Sequence, residues 1–254
     1  MSFNKIIISL LVCLLYGCSY DPIYQKKHYV FGTLVDLKIY GEEEETAKKI
    51  SNEIIEELNR IHKLLHPWNE GIINDINQAI SNNKSLSLNN EEIINIINDA
   101  RILENKTNGI FNPAIGKLVS LWGFHSETLP SKIPTNKAIN DLVKSNPSMN
   151  DISIKNNVLK SNNNNVQIDL GGYGKGYALD RVKEILNNKD IRNALINIGG
   201  NILAIGKNGS KNWVIAIQNP REPGVIAKIS LKPGWSIGTS GDYQKYLINN
   251  GVRY

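Results

Sequence analysis

The spacing of apolar residues changes once along the chain, near residue 150, and that change limits the possible folds more than any other feature. Before it, apolar residues recur at every third or fourth position. Ile50, Ile54, Leu58, Ile61 and Leu65 stripe residues 42–66, which read as an amphipathic helix. Its four leading glutamates sit at the positive end of the helix dipole, and Pro67 stops it. Ile93, Ile97, Ala100 and Leu103 mark a second helix over 89–107, opened by asparagine caps and closed near Gly109. A shorter helix is expected from Pro134. After the change the period is two. A hairpin is expected around Asn156-Asn157, a buried strand over 166–170, and further strands near 194–198, 202–206, 213–218, 225–231 and 235–238, with a helix at 175–187 between them. In the first half only residues 28–40 alternate as a strand would, closing on Gly41. Helices gathered early and strands late predict an α+β fold with mixed sheets and packed helices, and no internal repeat or long linker divides it.

The 254 residues are 41% hydrophobic, enough to bury a sizeable core. A formal net charge of +5 is mild, and no basic cluster is interleaved with aromatics, so nothing points to nucleic acid as a partner. At the N-terminus, Lys5 precedes an apolar run over 6–15 that is too short to span a bilayer. It ends in Leu15-Tyr16-Gly17-Cys18. Residues 1–17 therefore read as a secretory signal peptide. The small residue before Cys18 resembles a bacterial lipobox, in which that cysteine is acylated; an ordinary signal peptide with an incidental cysteine is the plainer alternative. With Cys13 removed and Cys18 acylated no thiol remains, which suits an oxidising compartment. Residues 18–28 are expected to form a polar tether, leaving a domain over 29–254, lipid-anchored through Cys18 in a bacterial cell envelope and facing the periplasm.

The densest chemical signal is Ile168-Asp169-Leu170-Gly171-Gly172-Tyr173-Gly174-Lys175-Gly176-Tyr177. A strand running through glycines into a helix lets backbone amides approach a phosphate, and Lys175 adds a point charge. The spacing is neither a Walker loop nor a dinucleotide fingerprint, so a tight structural turn accounts for the segment equally well. Other stretches carry chemistry-bearing residues: Phe31-Gly32-Thr33; residues 109–124, which include Phe111-Asn112-Pro113 and Trp122-Gly123-Phe124; the strand end Asn197-Ile198-Gly199-Gly200; and Ile237-Gly238-Thr239-Ser240-Gly241-Asp242-Tyr243. His62 and His66 stand four apart on one helix but lack a metalloprotease glutamate and a third ligand, so they read as solvent-facing. His28 and His125 stand alone. Thr239 with Asp242 has no histidine placed to complete a relay.

In this order and at about this spacing, these blocks resemble the ApbE family, the FAD:protein FMN transferases, over nearly everything after residue 28. The resemblance implies FAD contacts at Phe31 (the family usually has Met), at Trp68, at Phe111 and Asn112 (a Phe-Asp pair in the family), at Asp169, Lys175 and Ile237. It implies a magnesium ligand in the backbone carbonyl of Gly172. Tyr173-Gly174 replaces a more usual Ile-Ala. The implied reaction is transfer of FMN from FAD to a Thr or Ser hydroxyl of an exported acceptor protein, such as a subunit of a membrane redox pump, with AMP leaving and magnesium neutralising the pyrophosphate. The family's histidine segment and most of its magnesium ligands lie beyond the position of Tyr254, so catalytic groups are expected there. A truncated, FAD-binding but inactive lipoprotein and a generic solute-binding lipoprotein are the rival expectations.

Overall fold

The computed structural model describes residues 23–126, 133–241, 246–249 and 251–253; the expected signal peptide, Cys18, and Asp242 to Lys245 of the last block lie outside them. The chain opens with a hairpin, β1 (Ile23–Val30) and β2 (Thr33–Tyr40), paired from Ile23↔Tyr40 to Val30↔Thr33. The expected tether is thus corrected from Ile23 onward: residues 23–28 form an edge strand, whose solvent side tolerates the polar Gln25 and Lys27. Phe31 and Gly32 form the two-residue turn, both at positive φ (57° and 66°). A phenylalanine in that region costs about 1–2 kcal/mol and must be held by its surroundings.

Helix α1 (Glu44–Leu65) buries Ile50, Ile54, Leu58, Ile61 and Leu65 as its stripe predicts. The sequence reading passed over α2 (Ile72–Ser81), whose Ile73, Ile76 and Ile80 are buried. After the short strand β3 (Leu86–Ser87) comes α3 (Glu91–Lys106), capped by the Asn90 side chain, which accepts the Ile93 N–H at 3.0 Å. Its buried stripe is Ile93, Ile96, Ile97, Ala100 and Glu104; Leu103, expected inside, is 38% exposed. Glu104 goes inside because its Oε2 accepts the backbone N–H of Met149 at 2.8 Å. Two further helices, α4 (Gly116–Leu121) and α5 (Asn136–Lys144), lead to the hairpin β4 (Ile152–Lys155) and β5 (Val158–Ser161). Its turn residues Asn156 and Asn157 both have positive φ, as an Asn-Asn hairpin requires.

Residues 166–170 are buried at Val166, Ile168 and Leu170 but do not join a sheet as a strand. Their backbone is satisfied otherwise. Gln167 and Asp169 donate to the carbonyls of Ala114 and Pro113 (3.0 and 2.8 Å), and the Asn77 amide pairs with both the N–H and the C=O of Ile168 (2.7 and 2.9 Å). The glycine block then enters α6 (Gly171–Asn188) directly: its glycines lie in the first turns of the helix and not in a loop before it.

β6 (Ala194–Ile198), β7 (Asn201–Ile205) and, after the hairpin β8 (Trp213–Gln218) and β9 (Val225–Leu231), β10 (Ser236–Gly238) complete a five-stranded sheet of order β1-β2-β6-β7-β10. Two-residue strands β11 (Ile248–Asn249) and β12 (Val252–Arg253) close the described part. All pairings between these strands are antiparallel. Period-two alternation splits β6 and β7 between two cores. Ala194, Ile196, Ile198 and Leu203 join the main core under α1 and α6, while Leu195, Ile202 and Ala204 face the β8–β9 hairpin through Trp213, Ile215 and Leu231. The hairpin's remaining apolar surface is open: Val214, Val225 and Ile226 are each more than half exposed, as is Trp235 just before β10. Among the described residues no helix is long and apolar enough to cross a membrane.

Candidate functional site

Three of the sequence blocks meet at the end of the five-stranded sheet. Gly199 (φ 54°) lies so close to Thr33 that a Cβ there would stand 2.5 Å from its Oγ1. Gly200 donates to the Asn197 side chain at 2.8 Å, and its carbonyl accepts the Thr239 N–H at 3.0 Å. The glycines are therefore required by close approach of Thr33 and Thr239, which brings residues 31–33, 197–200 and 237–241 together.

Beside this junction lies an open cleft of about 930 Å³, between the end of α1 and the start of α6. From the first hairpin it takes Phe31 and Gly32; from α1 and the loop after it His62, His66 and Trp68; from the loop after α4 Phe124 and His125; and from the glycine block Asp169, Gly171 and Lys175. One wall is aromatic. Phe31 meets His62 edge-on (ring centroids 5.4 Å), His62 meets His66 (5.3 Å), and Trp68 lies against His125 (4.8 Å). His66 Nδ1 accepts the backbone N–H of both Trp68 and Asn69 (3.2 and 3.1 Å), which folds the post-helix loop and turns Trp68 toward the cleft. Burial, together with the neighbouring His66 imidazole, holds His62 below the usual histidine range, so its ring is neutral at pH 7.

The opposite wall is polar. Asp169 Oδ1 accepts the Gly171 N–H at 2.8 Å, a carboxylate at the positive end of α6. Lys175, one turn on, also faces the cleft. Gly174 packs on Leu65, where an added Cβ would stand 3.3 Å from Cδ1, so the two walls touch at the cleft floor.

Of the expected FAD contacts, Phe31, Trp68, Asp169 and Lys175 thus line one cleft. Phe111, Asn112 and Ile237 are not among its lining residues. Phe111 packs behind the first turn of α6, its ring 3.5 Å from where a Cβ on Gly172 would be. Asn112 is held in the fold: Nδ2 donates to the Pro147 carbonyl and Oδ1 accepts the Ala114 N–H, both at 2.8 Å, beside a separate cavity. A short neutral amide serves here because it must both donate and accept, which a carboxylate cannot. Ile237 on β10, paired with Ile202 on β7, borders a different cavity of about 250 Å³ between α6 and β7. His62 and His66, expected to face solvent, line the cleft, and so does His125, which carried no sequence signal of its own. The signal for the first two was present: a pair four apart on the last turn of a helix, next to Pro67-Trp68.

Magnesium finds no ligand set here. Gly172 lies in the first turn of α6, where its carbonyl faces along the helix, and among the described residues no group of three or more His, Cys, Asp or Glu side chains is placed to hold a metal ion.

The profile of the ApbE family matches residues 31–254. A protein of Rhodobacter capsulatus named FAD:protein FMN transferase is 34% identical over 233 residues, covering 92% of this chain and 44% of that protein. One of Vibrio cholerae with the same name is 32% identical over 165 residues, 64% of this chain and 49% of its own length. The chain spans about half the length of these curated relatives. The crystal structure of the ApbE protein from Thermotoga maritima superposes with a TM-score of 0.81 at 31% identity, over 92% of this chain and 75% of that one. The flavinyl transferase ApbE of Pseudomonas stutzeri, 22% identical, shares the fold with a TM-score of 0.76 over 94% of this chain and 74% of its own. A family profile matched over most of the chain, on a fold superposing this closely, leads to one conclusion: the chain belongs to the ApbE family.

Proposed function

We propose that the cleft between α1 and α6 binds FAD, and that the protein transfers FMN from it to a Thr or Ser hydroxyl of an exported acceptor flavoprotein. The observation that carries this reading is the convergence of Phe31, Trp68, Asp169 and Lys175, far apart in sequence, on one cleft with an aromatic and a polar wall. A planar isoalloxazine suits the wall of Phe31, Trp68 and His125. A diphosphate suits the Lys175 ammonium, the cation on the polar wall. In the reaction the acceptor oxygen bonds to the FMN-side phosphorus, the bond from that phosphorus to the bridging oxygen breaks, and AMP leaves with the electron pair while the hydroxyl gives up its proton. The family resemblance adds a magnesium requirement, the ion neutralising charge on the diphosphate when bound. The names of the relatives from Rhodobacter capsulatus and Vibrio cholerae support the transferase reading. The pattern Leu15-Tyr16-Gly17-Cys18 supports placement at a bacterial membrane through a lipid on Cys18, facing the periplasm, where an exported acceptor would meet it.

The test is to incubate the chain with FAD, magnesium and a flavin-acceptor domain. The expected result is an acceptor mass gain equal to FMN, dependent on magnesium and abolished when the acceptor hydroxyl is removed. An acceptor that stays unmodified under all conditions overturns the transferase proposal.

A further inference from the structure

Helices α1 and α6 run antiparallel behind the cleft, as two contacts require. Leu65 meets Gly174 at the cleft floor, and toward the other end Arg181 Nε donates to Glu57 Oε1 at 3.1 Å. Residues 57, 61 and 65 of α1 share one face, and residues 174, 178 and 181 share the facing one. The charged side chains on these faces form a single network. Arg60 donates through Nε and Nη2 to Glu57 (2.7 and 2.9 Å), and through Nη1 and Nη2 to both oxygens of Glu92 on α3 (2.8 and 2.7 Å). Glu92 Oε1 also accepts the Tyr177 hydroxyl at 2.7 Å. Arg181 further pairs with Glu184.

Arg60 thus joins a carboxylate on α1 to one on α3, and each of the two also holds a donor from α6. Lys cannot reproduce a fork that serves two carboxylates at once. The guanidinium holds the Glu57 and Glu92 carboxyls below their usual range, so both stay charged at neutral pH and the network is released only as pH falls below the ordinary carboxylate value of 4.5. The Tyr177 phenol is pushed up, chiefly by burial and then by its bond to Glu92, and remains a donor. Without Arg60, two carboxylates would face each other and α6 with only Arg181 to offset them.

We infer that Arg60 is a positioning residue for the cleft: by bridging Glu57 and Glu92, and through Glu92 the Tyr177 hydroxyl, it fixes the spacing of α1 and α6 and so the width between the histidine wall and Lys175. The inference rests on the cleft being a ligand site, and its test includes a reading that needs no ligand. In the 254-residue chain without FAD, the His62 imidazole is titrated by NMR in the wild type, Arg60→Ala, Arg60→Lys and Tyr177→Phe. The His62 midpoint rises toward the ordinary histidine value in Arg60→Ala, because water enters as the helices part. It rises less in Tyr177→Phe, which removes a single hydroxyl and keeps the fold. FAD titration then gives a Kd raised about tenfold in Arg60→Ala and less in Arg60→Lys, an effect in the range of energetic coupling through packed elements. In a charge-balanced variant, Arg60→Met with Glu92→Gln, the melting temperature recovers while FAD binding stays weak. Unchanged His62 titration in folded Arg60→Ala and Tyr177→Phe overturns the inference, as does FAD binding that recovers together with the melting temperature. Absence of FAD binding by the wild type overturns the proposed function instead, and the His62 titration still decides the clamp.

Discussion

Replacing Gly199 by alanine lowers the melting temperature by roughly 5–15 °C, through a loss of about 2–5 kcal/mol. Two effects add. The backbone at Gly199 is left-handed (φ 54°), which costs a residue with a Cβ about 1–2 kcal/mol. The new methyl would also stand 2.5 Å from Thr33 Oγ1 and 2.7 Å from Cγ2, so Thr33 has to move, and with it the Phe31-Gly32 turn that borders the cleft. Gly41→Ala is the matched control. Its φ is also positive (82°) but nothing lies within 4 Å of the added atom, so it carries the backbone strain alone. Thermal unfolding of the two variants separates strain from collision. FAD binding is expected to weaken in Gly199→Ala and to remain in Gly41→Ala.

Lys175→Ala weakens FAD binding by about 10- to 100-fold, the effect of removing a charge-assisted hydrogen bond worth about 1.5–3 kcal/mol. The half-buried side chain lines the cleft near the start of α6 and makes no hydrogen bond or ion pair among the described residues, so the melting temperature should move by less than about 2 °C. The discriminating ligand is riboflavin, which keeps the ring system and lacks the phosphates. Its affinity should be the same for wild type and Lys175→Ala, and Lys175→Arg should retain most of the FAD affinity. Equal losses for FAD and riboflavin would mean that Lys175 acts on the shape of the cleft and not on the phosphates.

Long period-3.6 stripes made α1 and α3 legible from the sequence, with their ends set by Asn90 and Pro67. The hairpin centred on Asn156-Asn157 was legible because turn chemistry and period two agreed, and β8 and β9 were legible as strands from period two, without their pairing. What was hidden depended on distant partners. β1 is a mostly polar edge strand whose pairing with β2 was masked by a turn containing Phe31. Residues 166–170 carry a strand's alternation, yet their hydrogen bonds go to residues 113–116 and to the side chain of Asn77, which no local pattern announces. The glycine block starts a helix because Asp169 caps its first amide and Gly174 lets Leu65 approach, a requirement of packing and not of propensity. Four of the expected site residues converge for the same reason the fold closes. Asn112 and Ile237 are tied to Pro147 and Ile202 instead, contacts that appear only once the chain has folded.

The most direct test of the central claim, that the cleft between α1 and α6 is an FAD site, is a fluorescence titration of FAD with the wild-type chain and with Trp68→Ala and Lys175→Ala. The wild type is expected to quench the flavin saturably, with weaker binding in both variants, since one removes the aromatic wall and the other the cation. Absence of saturable binding by the folded wild-type chain would contradict the claim, and so would binding that neither substitution changes.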